Sequence, residues 1–317
     1  PTFISKAQAT LILRDTAISS TYSVTMNNGT GGSDLTFTTT SSATETYDSL
    51  LTTLKNGILA FDDASHGDDR ITGLQCSTYA ASLHVARVVS GTKTKFNITC
   101  KGGSANNKLT VFQDHVDNVS GLPVFSFHDH LVKIMNTEST FDTYFASFVA
   151  DATEYNSDGT VSSEGAGRGF WEEARDPSVS TGLDETTMPH RLVNDAVNVF
   201  SLSTIPWTAR LVGDDITNSH PSFVGNKIQQ TFFHNNRLGF LSKDNVILSQ
   251  SSDFYNFYHT SAQAVTDADP IDISCSSIRP AALHGILPTT QGLVLFSNTQ
   301  QFLMAAADKI LTPSAAS

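Results

Sequence analysis

His128-Asp129-His130 sets two imidazoles and a carboxylate on consecutive positions, a donor set that suits zinc or iron. On a strand the two histidines would share a face and need a third ligand from another strand, and none is marked, so the tripeptide reads as structural. Glu154, Asn156, Asp158, Gly159 and Glu164 imitate a calcium-binding loop, but the closing acid falls one position early and no helical pattern flanks it. A hairpin tip is the expectation. Gly165, Gly167 and Gly169 lack the strand before and the helix after that a phosphate-cradling loop needs, and read as a flexible loop. Asp267, Asp269 and Asp272 could pair for acid/base work, yet Pro270 among them favours an exposed turn entering a strand. No GxSxG turn, HExxH helix or cysteine–histidine pair at a family spacing occurs, which leaves nucleophilic catalysis without a candidate. No cofactor and no metal is implied, and the chain does not read as an enzyme.

Bulk composition narrows the function classes further. Nineteen basic side chains stand against 31 acidic ones, a net charge of −12, with pI about 5.1. Gripping phosphate needs a surplus of lysine and arginine, so a generic polyanion binder is excluded. No apolar run approaches the roughly 20 residues of a membrane-spanning helix, which excludes membrane insertion of that kind. The chain opens Pro1-Thr2-Phe3 without an initiator methionine or a secretory pattern, and is expected to be a piece of something longer and not secreted. On that expectation the glycosylation sequons at Asn97 and Asn118 carry no meaning. Cys76, Cys100 and Cys275 are too few and too scattered for a disulfide framework, and are expected to be reduced, buried thiols.

The elements that would position these groups are mostly strands. Few strong helix formers, many β-branched and turn residues, and 20 phenylalanines point to a mainly β protein, and 317 residues to more than one domain. Thr10–Arg14, Tyr22–Met26 and Leu35–Thr38 read as strands, the last two joined as a hairpin with a long Asn/Gly tip. One helix is expected: Ser42 and Glu45 stand at capping-box spacing, Tyr47, Leu50, Leu51, Leu54 and Ile58 recur at helical spacing, and Gly57 sits near the stop. Leu83–Val89, Lys95–Cys100, Leu109–Phe112, His130–Met135 and Tyr144–Ala150 continue the strands. Late in the chain, Leu238–Leu241, a four-residue turn and Val246–Leu248 form a hairpin, and Leu293–Phe296 with Gln301–Met304 repeats it 55 positions on. That recurrence suggests propeller blades. Alternation puts Leu238 and Phe240 on the core side, with Gly239 and Leu241 opposite. The expected fold is a small α+β inserted domain over residues 1–120, a connecting β segment with a Ser/Gly-rich loop over 121–184, and a partial β-propeller segment over 185–317.

Residues 185–310 resemble the tail tubular protein B family, the nozzle proteins of short-tailed T7-like phages. The resemblance is carried by Glu185–Val193, Trp207 with Arg210, Gly213-Asp214-Asp215, Asn218, Pro221-Ser222-Phe223-Val224-Gly225, Phe232-Phe233, Asn236-Arg237-Leu238-Gly239-Phe240-Leu241-Ser242, Asn245–Ser249, Asp253–Phe257 and Asp267–Asp272. It implies that Pro221, Phe223, Gly225, Asn236, Arg237, Leu238, Gly239, Phe240, Asp269, Pro270 and Asp272 are scaffold residues, with Arg237 a candidate partner for Asp267, Asp269 or Asp272. It also implies a virion location in the phage tail and family members that extend beyond both ends of this chain. Implied as well is a homo-oligomeric ring, a hexamer, with an adaptor ring of tail tubular protein A type and tail fibres as neighbours, through which viral DNA passes without tight binding. The alternative, from a different class, is a glycan-binding or glycan-hydrolysing tail module. Such an enzyme needs two carboxylates about 5–9 Å apart in an aromatic-lined cleft, and the chain has only 2 tryptophans to line one.

Overall fold

The computed structural model describes residues 6–16, 19–103, 105–136, 143–151, 166–275, 281–305 and 311–313. The fold is mainly β, and the chain divides into two compact units, Pro1–Ala174 and Arg175–Ser317.

In the first unit, β1 (Gln8–Leu13), β2 (Thr21–Asn27) and β3 (Leu35–Thr40) precede the one α-helix among the described residues, α1 (Tyr47–Leu59). After it come β4 (Leu74–Tyr79), β5 (Ser82–Val89), β6 (Thr92–Lys93), β7 (Asn97–Gly102) and β8 (Leu109–Phe112). Strands run in the order β4-β5-β1-β8 in one sheet, with β6 hooked onto β5, and β3-β2-β7 in another. Strand β2 shows why: Tyr22, Val24 and Met26 are buried on one face while Ser23 and Thr25 are half-buried on the other. Leu50, Leu51, Leu54 and Ile58 bury one stripe of α1 against the sheet residues Leu11, Val24 and Val85. The cap lies later than the spacing suggests: Thr46 Oγ1 accepts from Ser49 N, and Ser49 Oγ accepts from Thr46 N. Ser42 and Glu45 bond each other one turn upstream, and Tyr47 is exposed. Gly57 is not a stop signal either. A Cβ there would lie 2.3 Å from the Phe37 ring, so the absent side chain is what seats β3 on the helix.

A third sheet of this unit is made of β9 (His115–Val116), β10 (Phe125–Phe127), β11 (Leu131–Ile134), β12 (Tyr144–Ala150) and β13 (Ala166–Ala174), in the order β10-β13-β12-β11-β9. Gly167 and Gly169 lie inside β13, not in a flexible loop. A Cβ on Gly169 would fall 2.0 Å from the Val149 carbonyl, so the glycine permits close strand approach. Gly165 and the calcium-loop imitation at 154–164 lie outside the described residues.

The second unit opens with a two-stranded ribbon, β14 (Arg191–Ala196) and β15 (Val199–Ser203). It continues as a four-stranded antiparallel meander, β16 (Gln230–His234), β17 (Arg237–Ser242), β18 (Asn245–Leu248) and β19 (Ile271–Ser274). A three-stranded meander follows, β20 (Leu283–Thr289), β21 (Gly292–Ser297) and β22 (Gln301–Met304). The β17–β18 turn has two residues rather than four, because Ser242 already pairs with Asn245. Strand β17 is buried on both faces. Leu238 and Phe240 enter a cluster with Met188, Ile205, Trp207, Phe223 and Phe257, whereas Leu241 joins Phe232, Val246, Leu248 and Ile271 against Leu283, Leu293 and Leu295 of the second meander. The expected two-sidedness holds, with a core on each side.

Candidate functional site

The motif residues of the second unit meet around two buried guanidinium groups. Arg237, at the start of β17, is 3% exposed, and Nη1 donates to the carbonyls of Ser249 (2.7 Å), Ala268 (3.2 Å) and Asp269 (2.7 Å), while Nη2 donates to that of Asp267 (2.7 Å). The expected ion pair is therefore replaced by main-chain contacts. No carboxylate of Asp267, Asp269 or Asp272 lies within salt-bridge distance of Arg237, and the buried charge is met by carbonyl dipoles instead. Burial lowers the pKa of Arg237 from its usual value and the nearby Asp269 charge offsets part of this.

Asp269 is fully buried, not part of an exposed turn. Its carboxylate accepts from Thr260 N (3.2 Å), Thr260 Oγ1 (2.9 Å) and Thr266 N (2.7 Å). Burial pushes its pKa upward, but these donors outweigh that and hold it below the ordinary value. Pro270 is buried beside it and leads into β19. Asp272 accepts from Ser222 N (2.7 Å) and Asn245 Nδ2 (3.0 Å), tying the Pro221–Gly225 turn to β18. Gly225 takes φ +75 at the end of that turn. Asn235 and Asn236, with φ +47 and +59, form the two-residue turn between β16 and β17. Both central residues are left-handed, as in a type I′ hairpin, and Asn236 Nδ2 donates to Ser252 Oγ.

Arg210, 1% exposed, repeats the device. It donates to the carbonyls of Ser180 (2.8 Å) and Asn218 (2.8 Å) and to the Asp215 carboxylate (2.8 Å), and lies 5.8 Å from the centre of the Tyr258 ring. Asn218 links the two arginines: its amide donates to the Val212 and His259 carbonyls and its oxygen accepts from His259 N, one residue before Thr260, which binds Asp269. Alongside, Phe240 stacks on Phe257 at 5.1 Å, with Trp207 and Phe223 edge-on or tilted around them. In this lattice the carboxylates of Asp215, Asp269 and Asp272 accept from main-chain N–H groups, hydroxyls or side-chain donors. Its chemistry is that of holding long loops in one register. An open cleft of about 1100 Å³ lies in the same unit, with Leu183, Asp184, Val224, Lys227 and Ile228 among its walls.

Over residues 1–317 the sequence matches the family of bacteriophage nozzle proteins. The chain belongs to this family. The tail tubular protein gp12 of Escherichia phage T7 is 32% identical over 219 residues, which is 69% of this chain and 26% of that protein. This nozzle-family chain thus spans about a quarter of the length of the curated relative that it matches.

Other residues singled out in the nozzle chain by their chemistry take structural positions. His128-Asp129-His130 forms a turn after β10 rather than a strand, with Asp129 at φ +59. His128 Nδ1 accepts from Ala150 N, while His130 is clamped between Ser126 Oγ (2.5 Å) and the Gln113 carbonyl (2.6 Å). Ser126 passes on to Thr10 (3.5 Å) and His84 (3.1 Å from Thr10), so two histidines are joined through hydroxyls in the core. Burial lowers the pKa of His84 to about 3 and that of His130 to about 4. Among the described residues no group of three metal-ligating side chains converges. The three cysteines are free and half-buried. Trp207 is buried in the aromatic cluster, and Trp171 packs on Phe112, His130 and Phe148 with Nε1 donating to the Pro123 carbonyl (2.7 Å). Neither tryptophan lines the described cleft. Thr260 and Thr266, the donors to Asp269, do work that spacing alone did not announce. The Asp214-to-Thr217 and Asp184-to-Thr186 turns, with an acid two or three positions before a threonine, carry a local signal.

Proposed function

We propose that this chain is a structural subunit of a phage tail nozzle. In this reading it sits in the virion tail within a ring, by resemblance a hexamer, that extends the tail tube below an adaptor ring and lets DNA through. Membership of the nozzle family over the full sequence carries the reading, together with the name of the T7 relative, a tail tubular protein. The lattice supports it, since a tube wall needs long loops fixed in place. The four-stranded β16–β19 meander has the strand order of one propeller blade, and the repeat at β21–β22 supports a second; we read both as part of a propeller. Residues 1–120 are read as an inserted domain of their own, joined through 121–184.

The test is the mass and shape of the particle formed by the full-length protein with its adaptor present, by native mass spectrometry and electron microscopy. A ring with an axial channel is expected. A persistent monomer under those conditions would refute the reading, and release of oligosaccharide from host surface glycan would favour the glycan-hydrolysing alternative.

A further inference from the structure

The β14–β15 ribbon presents its apolar side chains to water. Leu192, Val197, Val199, Phe200 and Leu202 are 65, 87, 53, 59 and 68% exposed. Leu192 pairs with Leu202 and Asn194 with Phe200, so Leu192, Phe200 and Leu202 share one face that runs toward Val197 at the tip. Among the described residues no third strand joins the ribbon, and a two-stranded ribbon alone is marginal in water. The apolar stripe is on the order of 300–600 Å², the size at which an exposed patch on a monomer is usually functional. A bulge between Asn194 and Ala196 twists the arm near its tip.

Charge selects the occupant. Between residues 191 and 203 the only ionic groups are Arg191 and Asp195, in a chain of net charge −12. The arm therefore meets another acidic copy without like-charge opposition, and offers too little positive charge to hold a polyanion. The cleft of about 1100 Å³ has Leu183, Val224 and Ile228 for apolar contact and is flanked by Asp184 and Lys227, opposite in sign to Arg191 and Asp195. The arm does not fill its own unit's cleft, since its side chains are exposed. A unit with both an arm and a receiving cleft associates head to tail, and such contacts close into a ring when the rotation from one copy to the next divides a full turn.

We propose that the β14–β15 ribbon is an arm seating Leu192, Phe200 and Leu202 in the cleft of a second copy of this chain, with Arg191 toward Asp184 and Asp195 toward Lys227. The inference rests on the ring reading and supplies its lateral contact. The test compares sedimentation velocity and native mass of the full chain with those of the Phe200→Ser/Leu202→Ser variant, with the melting temperature as the check on folding. Association should weaken by about 100-fold or more at an unchanged melting temperature, since both side chains are already in water. Asp195→Lys alone should weaken it, and adding Lys227→Asp should restore it. Unchanged assembly of the serine variant overturns the arm and leaves the ring reading standing. A wild-type chain that stays monomeric at every concentration, adaptor present, overturns both. Flotation of the wild type with phosphatidylglycerol vesicles, lost in the serine variant, would make the stripe a lipid contact and overturn the proposal.

Discussion

Replacing Arg237 with alanine would take a donor from four carbonyls at once. Those of Ser249 and Asp269 lie along the buried guanidinium and would be orphaned, whereas the Ala268 carbonyl keeps Ser251 N (2.9 Å) and Asp267 is exposed enough for water to take over. An orphaned buried acceptor costs about 1–3 kcal/mol, and water entering the vacated space recovers part of this. Arg237→Ala should therefore destabilise the second unit by about 3–5 kcal/mol, the range seen when a buried charge network loses one member. Arg237→Lys keeps charge but not the planar fork, and should lose about half as much. The 2 tryptophans make the assay clean, because Trp171 lies in the first unit and Trp207 in the second. In a Trp171→Phe background, urea unfolding followed by fluorescence reports the second unit, and the midpoint shift at constant slope gives the loss. A loss below about 1 kcal/mol for alanine, or lysine equal to wild type, would mean that solvent serves these carbonyls as well and that the lattice holds nothing.

Gly239→Ala should cost about 1–3 kcal/mol, because a Cβ there would fall 2.2 Å from the Phe232 ring; Phe232→Leu should relieve it, and additive losses in the double variant would refute the contact. Phe240→Ala, emptying a fully buried site between Trp207 and Phe257, should cost about 3–5 kcal/mol, and a neutral result would mean the strand is misassigned. His84 and His130 are held neutral, with folded-state pKa values of about 3 and about 4 against an ordinary 6.5, so the unfolded chain binds more protons between these limits. Stability of the first unit should thus fall as pH drops below 6.5, by on the order of 3 kcal/mol from His130 alone by pH 4, and a flat urea midpoint followed at Trp171 would refute this. Burial pushes the Cys76 and Cys100 thiols up to about 12, so iodoacetamide near pH 8 should label them only after unfolding, and rapid labelling of the folded chain would contradict the placement. Duplex DNA should bind negligibly at physiological salt; submicromolar binding with a steep salt slope in an anisotropy titration would refute the sliding conduit.

Local periodicity was readable, and long-range polar contacts were not. The helix announced itself because Leu50, Leu51, Leu54 and Ile58 share a stripe, but its cap was misplaced by one turn, since Ser42/Glu45 and Thr46/Ser49 both fit the spacing. Strand β13 escaped notice because glycine usually marks a loop, whereas Gly169 is there for the Val149 carbonyl. The β14–β15 ribbon carries a short alternation, Phe200 and Leu202 against Ser201 and Ser203, but its apolar face looks to water, so alternation there does not report burial. Motif residues such as Arg237 and Asp269 could be picked out by resemblance, yet not their partners. A guanidinium that binds carbonyls leaves no mark on the residue types around it, and the sequence suggested an ion pair where the fold made a set of main-chain bonds.

The lattice also sets a schedule. Its bonds close in order of synthesis: Ser180 to Arg210 as soon as Asn218 is made, Asn218 to His259 next, and Arg237 to Ala268 and Asp269 last. At about 5–20 residues per second, a ribosome takes roughly 2–6 s to travel from Arg237 to Asp269. Through that interval Arg237 is hydrated like any surface arginine, and the start of β17 still lacks most of its carbonyl partners. Contacts this distant in sequence form late. Closure of this lattice is thus tied to synthesis of residues 266–272, and the β20–β22 meander, which packs on Leu241 of β17, is made later still.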